Sequence, residues 1–175
     1  MIFIEKSFLD KETCSVFLNL AKQTEEWEGG GHDFWANRVL HFKKIFGLNN
    51  NIQNTVVNKI RNFINIKYNT EVYCDTIDII RWTEGLSQPP HIDACEGLEY
   101  RDYGCIIYLN DDYEGGHTYY PDRSIDIKPI SGMIVVHPGS EDYYHGVTEV
   151  KNNVRYTIAS FWTTTKEKAN YDRIY

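Results

Sequence analysis

Residues 104–163 read GCIIYLNDDYEGGHTYYPDRSIDIKPISGMIVVHPGSEDYYHGVTEVKNNVRYTIASFWT. Apolar and β-branched runs at 104–109, 117–120, 124–127, 133–137, 145–150 and 155–163 are cut apart by turn-forming groups. Those breaks are Asn110-Asp111-Asp112, Glu114-Gly115-Gly116, Pro129, Ser131-Gly132 and Asn152-Asn153. Many short strands with turn signals at this spacing predict an all-β sandwich or barrel. Upstream, 72–82 reads as one more strand, and Gly85 and Pro89-Pro90 then set up the entry into His91. Before residue 68 the texture is helical. Asp10 can cap a helix running to about residue 24, with Cys14, Phe17, Leu18 and Ala21 on one face. A second helix fits 51–66, where Ile52, Val56, Ile60, Phe63 and Ile64 recur at helical spacing. Two helices ahead of the strands would cover one sheet, and residues 2–4 look like a short strand.

Length and composition bound the answer. At 175 residues the chain reads as one domain, helical over about 1–68 and β over about 70–165. A chain of this size buries roughly 70% of its unfolded surface. Hydrophobic residues at 42% and aromatics at 14% exclude a disordered chain. Thirteen tyrosines suit strands and binding clefts, since each joins an apolar body to a polar tip. Asp and Glu outnumber Lys and Arg by 25 to 18, for a net charge of −7. With no basic stripe, direct nucleic-acid binding is not expected. Cys14, Cys74, Cys95 and Cys105 form no CxxC pair and no zinc spacing, so they read as buried free thiols in a reducing compartment. Glu5 and Lys6 interrupt the apolar start, so no signal peptide is expected. No apolar run approaches the ~20 residues that span a bilayer. The expectation is a cytoplasmic protein without membrane contact.

The chemistry rests on His91-Ile92-Asp93, His145 and Arg155. Two imidazoles and one carboxylate hold Fe(II) on one face and leave three positions open, the usual arrangement of non-haem Fe(II) oxygenases. Two open positions suit the 1-carboxylate and 2-keto oxygens of 2-oxoglutarate, and the third suits O2. On a strand His91 and Asp93 would share a face, with Ile92 pointing away. His145 must then arrive from another strand. Arg155, ten residues further on, can hold the far carboxylate of a bound dicarboxylate, since guanidinium is planar, always charged and bidentate.

The order of these motifs is specific. Pro90-His91-Ile92-Asp93 is followed by Ile107-Tyr108-Leu109-Asn110-Asp111, Glu114-Gly115-Gly116, His145-Gly146-Val147 and Arg155-Tyr156-Thr157. From about residue 78 to 162 this series resembles the 2-oxoglutarate/Fe(II) dioxygenases, and within them the prolyl 4-hydroxylase-like group. The resemblance implies a mainly β (α+β) fold, a double-stranded β-helix or jelly roll with N-terminal helices packed on one sheet. It implies His91, Asp93 and His145 as Fe(II) ligands and Arg155 as the partner of the 2-oxoglutarate C5 carboxylate. Tyr108 would offer its hydroxyl to the same carboxylate, and Thr157, on the strand face of Arg155, would add a hydrogen bond. Many collagen-type members carry Lys where Arg155 stands. The family often has Glu after the double glycine; here that position is His117, whose role stays open.

The activity so implied is a hydroxylation. 2-Oxoglutarate is decarboxylated to succinate and CO2 with O2 as co-substrate, and a substrate C–H bond becomes C–OH. A prolyl residue of a peptide or protein is the expected substrate, prolyl 4-hydroxylation the expected reaction, and ascorbate a candidate rescuer of uncoupled iron. Two rivals stand beside it: a hydroxylase of a free amino acid or other small metabolite, and a catalytically silent jelly-roll binding module. A zinc cupin fits poorly, because its His-x-His pair is absent.

The remaining residues take plainer expectations. Trp82 reads as core packing, while Phe161 falls on the Arg155 face and would wall the co-substrate pocket. His32, His41 and His137 have no partner at metal-ligand spacing and read as structural. Gly115-Gly116 reads as a turn, and Asp111-Asp112 as a solvated one. The glycine-rich stretch 29–38 reads as a lid, with Phe34, Trp35 and Arg38 closing over a substrate, or else as a surface loop tucked onto the core by Trp35.

Overall fold

The computed structural model describes residues 1–29, 33–46 and 51–174. Two antiparallel sheets dominate. The larger contains β1 (Phe3–Glu5), β2 (Val39–His41), β3 (Tyr73–Trp82), β5 (Tyr103–Tyr108), β9 (Ile134–Pro138) and β12 (Arg155–Thr163), in the spatial order β1-β9-β5-β12-β3-β2. The smaller contains β4 (Gln88–His91), β7 (Thr118–Tyr120), β8 (Ile125–Ile127) and β10 (His145–Val147), in the order β4-β10-β7-β8. A short pair, β6 (Glu114–Gly115) with β11 (Val150–Lys151), closes one end. The helices are α1 (Lys11–Gln23), α2 (Phe42–Phe46), α3 (Asn51–Tyr68) and α4 (Asn170–Ile174). This is the expected jelly roll.

The helices form where their ends and faces dictate. Asp10 caps α1, its carboxylate accepting from Thr13 N at 2.7 Å. The apolar faces of α1 (Cys14, Phe17, Ala21) and α3 (Val56, Val57, Ile60, Ile64) pack on one face of the larger sheet, against Ile77, Ile79, Ile107, Val136, Ile158 and Trp162. Each fully buried Ile there contributes roughly 1.5–3 kcal/mol. Trp162 is fully buried, and its indole N–H is satisfied by Ser160 Oγ at 2.9 Å.

Alternation then places the opposite set of side chains on the other face. Along β12, Ile158 and Trp162 join the helix-side core, while Arg155, Thr157, Ala159 and Phe161 line a cavity between the sheets. The β12–β3 ladder sets Arg155 opposite Trp82 and Thr157 opposite Ile80, so β3 supplies the neighbouring wall.

Several boundaries differ from the sequence reading. The strand expected over 145–150 is two, because after Val147 the chain leaves β7: Thr148 pairs with His117, and Val150 then pairs with Gly115. β2 was not foreseen; its three residues are too few to show a period. β4 contains Pro89 and Pro90, which an edge strand tolerates because one side needs no ladder donors. Among the cysteines, all free, Cys14, Cys74 and Cys105 are buried as expected, but Cys95 is exposed in the turns that follow Asp93. No helix among the described residues is long and apolar enough to cross a membrane.

Candidate active site

β4 ends at His91, where its pairing with β10 also ends: His91 lies directly opposite His145. This register alone brings the two imidazoles together, ring centres 4.5 Å apart. Asp93 is not on the strand. The expectation of a shared strand face is corrected here: with no further ladder partner the chain bends, and Ala94 N donates to Gly139 O at 3.1 Å. The bend turns the Asp93 carboxylate to the same point. Its Oδ1 lies 3.8 Å from both His91 Nε2 and His145 Nε2. One ligand atom from each of the three residues falls within 4.8 Å of the others.

The tautomers suit a cation. His91 Nδ1 lies 3.2 Å from Pro89 O and His145 Nδ1 lies 2.9 Å from Tyr143 O. Carbonyl oxygens only accept, so each Nδ1 carries the hydrogen and each Nε2 turns its lone pair inward. Burial pushes the His145 pKa down to about 3, helped by the neighbouring His137 and opposed by Asp93. A neutral imidazole is the form that ligates. His91 is the solvent-facing member, with its side chain one-third exposed; Asp93 and His145 are buried. Two imidazoles and one carboxylate fit Fe(II) by type and by direction.

Arg155 occupies the same cavity, 1% exposed. Among the described residues it has no carboxylate within ion-pair distance, and its Nε is a buried donor without a partner. Its guanidinium carbon lies 5.1 Å from the Trp82 ring centre and 5.3 Å from that of Tyr108. A buried cation without a counter-ion is costly, and an anionic carboxylate entering the cavity relieves that cost. The double glycine helps, though not as the expected turn: Gly115 ends strand β6, both glycines have positive φ, and a Cβ on Gly116 would meet Arg155 Cδ at 2.8 Å. Those residues thus fit a dicarboxylate as well as a metal.

The other site expectations divide. Thr157, Phe161 and Trp35 line the cavity. Trp82 does too, while also packing with Val39, Ile80, Val147 and Val150, so plain core packing was too narrow a reading. Tyr108 is brought to Arg155 but stands behind it, fully buried, its hydroxyl 2.6 Å from Thr118 Oγ1. Burial raises its pKa, so it stays neutral. His117 bonds to Asp126 at 2.9 Å and does not line the cavity.

Of the lid stretch, residues 30–32, including His32, lie outside the described residues. Arg38 does not close over the cavity. It is buried behind Trp35, its Cζ 4.1, 4.3 and 4.8 Å from the Trp82, Phe34 and Trp35 ring centres, with Nη1 donating to Phe34 O at 2.8 Å. Burial, then the charge of Arg155, lowers its pKa to about 10, which leaves it charged at neutral pH.

His41 is structural as expected, bonded to Asp78 at 2.7 Å. His137 is not remote from the candidate metal ligands: its ring centre lies 4.3 Å from that of His145. It comes from β9, and neither spacing nor period could have found it. The signal, in retrospect, was a histidine in the otherwise apolar run Ile134-Val135-Val136.

Comparison with known proteins places the fold. Residues 77–163 match the model of the 2OG-Fe(II) oxygenase superfamily. Prolyl 3-hydroxylase 1 of Rattus norvegicus is 29% identical over 106 residues, covering 50% of this chain and 15% of that protein. Its Gallus gallus counterpart is 30% identical over 80 residues, 43% of this chain and 11% of that one. The match thus spans a small part of these curated relatives. Among solved structures, the viral collagen prolyl hydroxylase of Paramecium bursaria Chlorella virus-1, in its 2OG complex, aligns with a TM-score of 0.68 at 17% identity, over 94% of this chain and 96% of that one. A Trichoplax adhaerens prolyl hydroxylase in complex with a hypoxia inducible factor peptide fragment aligns with a TM-score of 0.76 at 17% identity, over 96% and 86%. At that identity both likenesses speak to the fold. With its jelly roll, its motif order and the family match, the chain belongs to the 2-oxoglutarate/Fe(II)-dependent oxygenase superfamily, whose cofactor is Fe(II) and whose co-substrates are 2-oxoglutarate and O2.

Proposed function

We propose that this chain is an Fe(II)- and 2-oxoglutarate-dependent hydroxylase of prolyl residues in a peptide or protein, with C4 as the carbon hydroxylated. One observation carries the reading. The inward-facing Nε2 atoms of His91 and His145 converge on Asp93 Oδ1 in a cavity that also holds the buried Arg155, which among the described residues has no carboxylate partner. His91, Asp93 and His145 hold Fe(II), which supplies the oxygen activation that protein side chains cannot. Arg155 pairs with the C5 carboxylate of 2-oxoglutarate, and Thr157 is the neighbouring hydroxyl on the same face. Tyr108, tied to Thr118, keeps the guanidinium in place. Phe161, Ala159, Ile106 and Val147 exclude water from the cavity. Trp35, on the wall, positions the substrate. The overall balance is 2-oxoglutarate, O2 and R–H giving succinate, CO2 and R–OH.

The prolyl substrate draws support from the relatives' names and from the peptide complex of the Trichoplax protein. The C4 position draws on the motif resemblance, while the curated partial relatives are 3-hydroxylases. The test is succinate release with proline-containing peptides beside free amino acids, followed by NMR of the product ring. Peptide-dependent succinate and a 4-hydroxyprolyl product are expected. A 3-hydroxyprolyl product corrects the position. Turnover confined to free amino acids overturns the protein substrate, and no succinate with any substrate overturns the activity.

A further inference from the structure

Asp93 has a second neighbour that the ligand set leaves unused. Its Oδ1 faces His91 and His145, but its Oδ2 faces His137 Nε2 at 3.7 Å. His137 is 1% exposed. Its Nδ1 lies 3.1 Å from Pro138 O, so both ring nitrogens face acceptors, and the carboxylate, being charged, is the stronger one for the ring hydrogen. With that hydrogen on Nε2 the imidazole points a donor at Oδ2, 3.7 Å away, close enough for electrostatic attraction and just beyond a direct hydrogen bond.

The surrounding chain makes room for this meeting. Gly104 lies directly opposite His137 across the β5–β9 ladder. A Cβ there would meet Asp93 Oδ2 at 2.1 Å and His137 Nε2 at 2.9 Å. The space a side chain would fill on β5 is thus the space in which the carboxylate and the third imidazole come together. His137 is not a member of the group whose ligand atoms lie within 4.8 Å of one another, so it stands outside the cation's own donors.

From this geometry we infer that His137 is a positioning residue for Asp93: its Nε2–H donor attracts and holds Oδ2 and so presents Oδ1 to the metal as a single donor. The inference rests on the reading of His91, Asp93 and His145 as the metal centre. A carboxylate held by one oxygen cannot swing to offer both, which keeps an open position for the co-substrate. Outer partners of this kind are worth about 10- to 100-fold in metal affinity.

The test is anaerobic binding of Co(II) to the full chain, by titration and by its visible absorption, in wild type, His137→Phe and His137→Gln. Phe removes the polar link and preserves an apolar, ring-filled core. Gln keeps a donor that reaches the carboxylate directly. His137→Phe is expected to bind Co(II) about 10- to 100-fold more weakly with an altered visible spectrum, at equal or higher Tm. His137→Gln is expected to regain most of the affinity. A packing role predicts the opposite ordering, with Tm and affinity falling together or Gln no better than Phe, and either result overturns the inference. If Phe does not fold, Gln at wild-type affinity supports the link, and Gln tenfold weaker with a native fold overturns it. Wild-type protein that binds no Co(II) would instead overturn the metal centre itself.

Discussion

Arg155 faces Trp82 directly across the β12–β3 ladder, its guanidinium carbon 5.1 Å from the indole ring centre. The ring offers a flat, weakly attractive platform rather than a counter-charge, so the guanidinium is oriented but not neutralised. An incoming carboxylate then finds it desolvated. A charge-assisted bond of this kind is worth about 1.5–3 kcal/mol. Arg155→Ala is therefore expected to raise the KM for 2-oxoglutarate roughly 10- to 150-fold while leaving the anaerobic Kd for Fe(II) within a few-fold of wild type. Isothermal titration of each ligand separates the two effects, and unchanged 2-oxoglutarate affinity would remove Arg155 from the co-substrate site.

Gly104→Ala follows from the room made for Asp93. The added methyl would sit 2.1 Å from Oδ2, so the carboxylate or the strand must move. Such overpacking costs about 1–3 kcal/mol of stability. The expected result is a lowered Tm together with weakened Co(II) binding, read by thermal unfolding and titration. A variant that keeps wild-type metal affinity would show that Asp93 does not depend on this space.

The parts legible in the sequence were those governed by local rules. The α1 cap at Asp10 and the inward set Arg155, Thr157 and Phe161 follow from residue type and period 2. The candidate ligand trio was legible from its types and order, and the register of β4 with β10 supplied what spacing alone did not. What stayed hidden depends on contacts between distant segments. Asp93 reaches the site by a bend whose anchor is Gly139, His137 reaches it across β5 at Gly104, and Arg38 is buried by three aromatic rings from two segments. No period or motif encodes such meetings, because each partner is ordinary in its own stretch.

Trp35 tests the remaining wall of the cavity. Its ring lies 4.9 Å from Phe34 and 5.9 Å from Trp82, centre to centre, with Arg38 behind. Trp35 lines the cavity while Arg38 does not, so truncation there removes contact area without disturbing Arg155. Trp35→Ala is expected to raise the KM for the hydroxylated substrate roughly tenfold, equivalent to about 1.4 kcal/mol, with the KM for 2-oxoglutarate little changed. Steady-state kinetics varying one substrate at a time reads this directly. Equal rises in both would mean that the wall supports the whole pocket, and unchanged kinetics would end its role in substrate binding.

That wall is tied to the sheet through β2, and the tie is pH-dependent. His41 lies opposite Asp78, with Nδ1 2.7 Å from Asp78 Oδ1 and Nε2 3.5 Å from Glu28 Oε2. The bond to Asp78 raises the His41 pKa above its ordinary 6.5; partial burial opposes the rise, the Asp78 charge adds to it, and Lys43 works against it. Because the folded value lies above the unfolded one, the protonated pair stabilises the fold fully below about pH 6.5. That contribution is lost as pH climbs through the raised value. His41→Gln should therefore lose most stability relative to wild type near pH 5.5, and the gap should narrow toward pH 9. Paired thermal unfolding curves across that range check it, with the other titrating groups cancelling between the two proteins. A gap that is constant with pH would show that the imidazole acts as a neutral hydrogen-bonding group, and that protonation adds nothing to the anchor of β2.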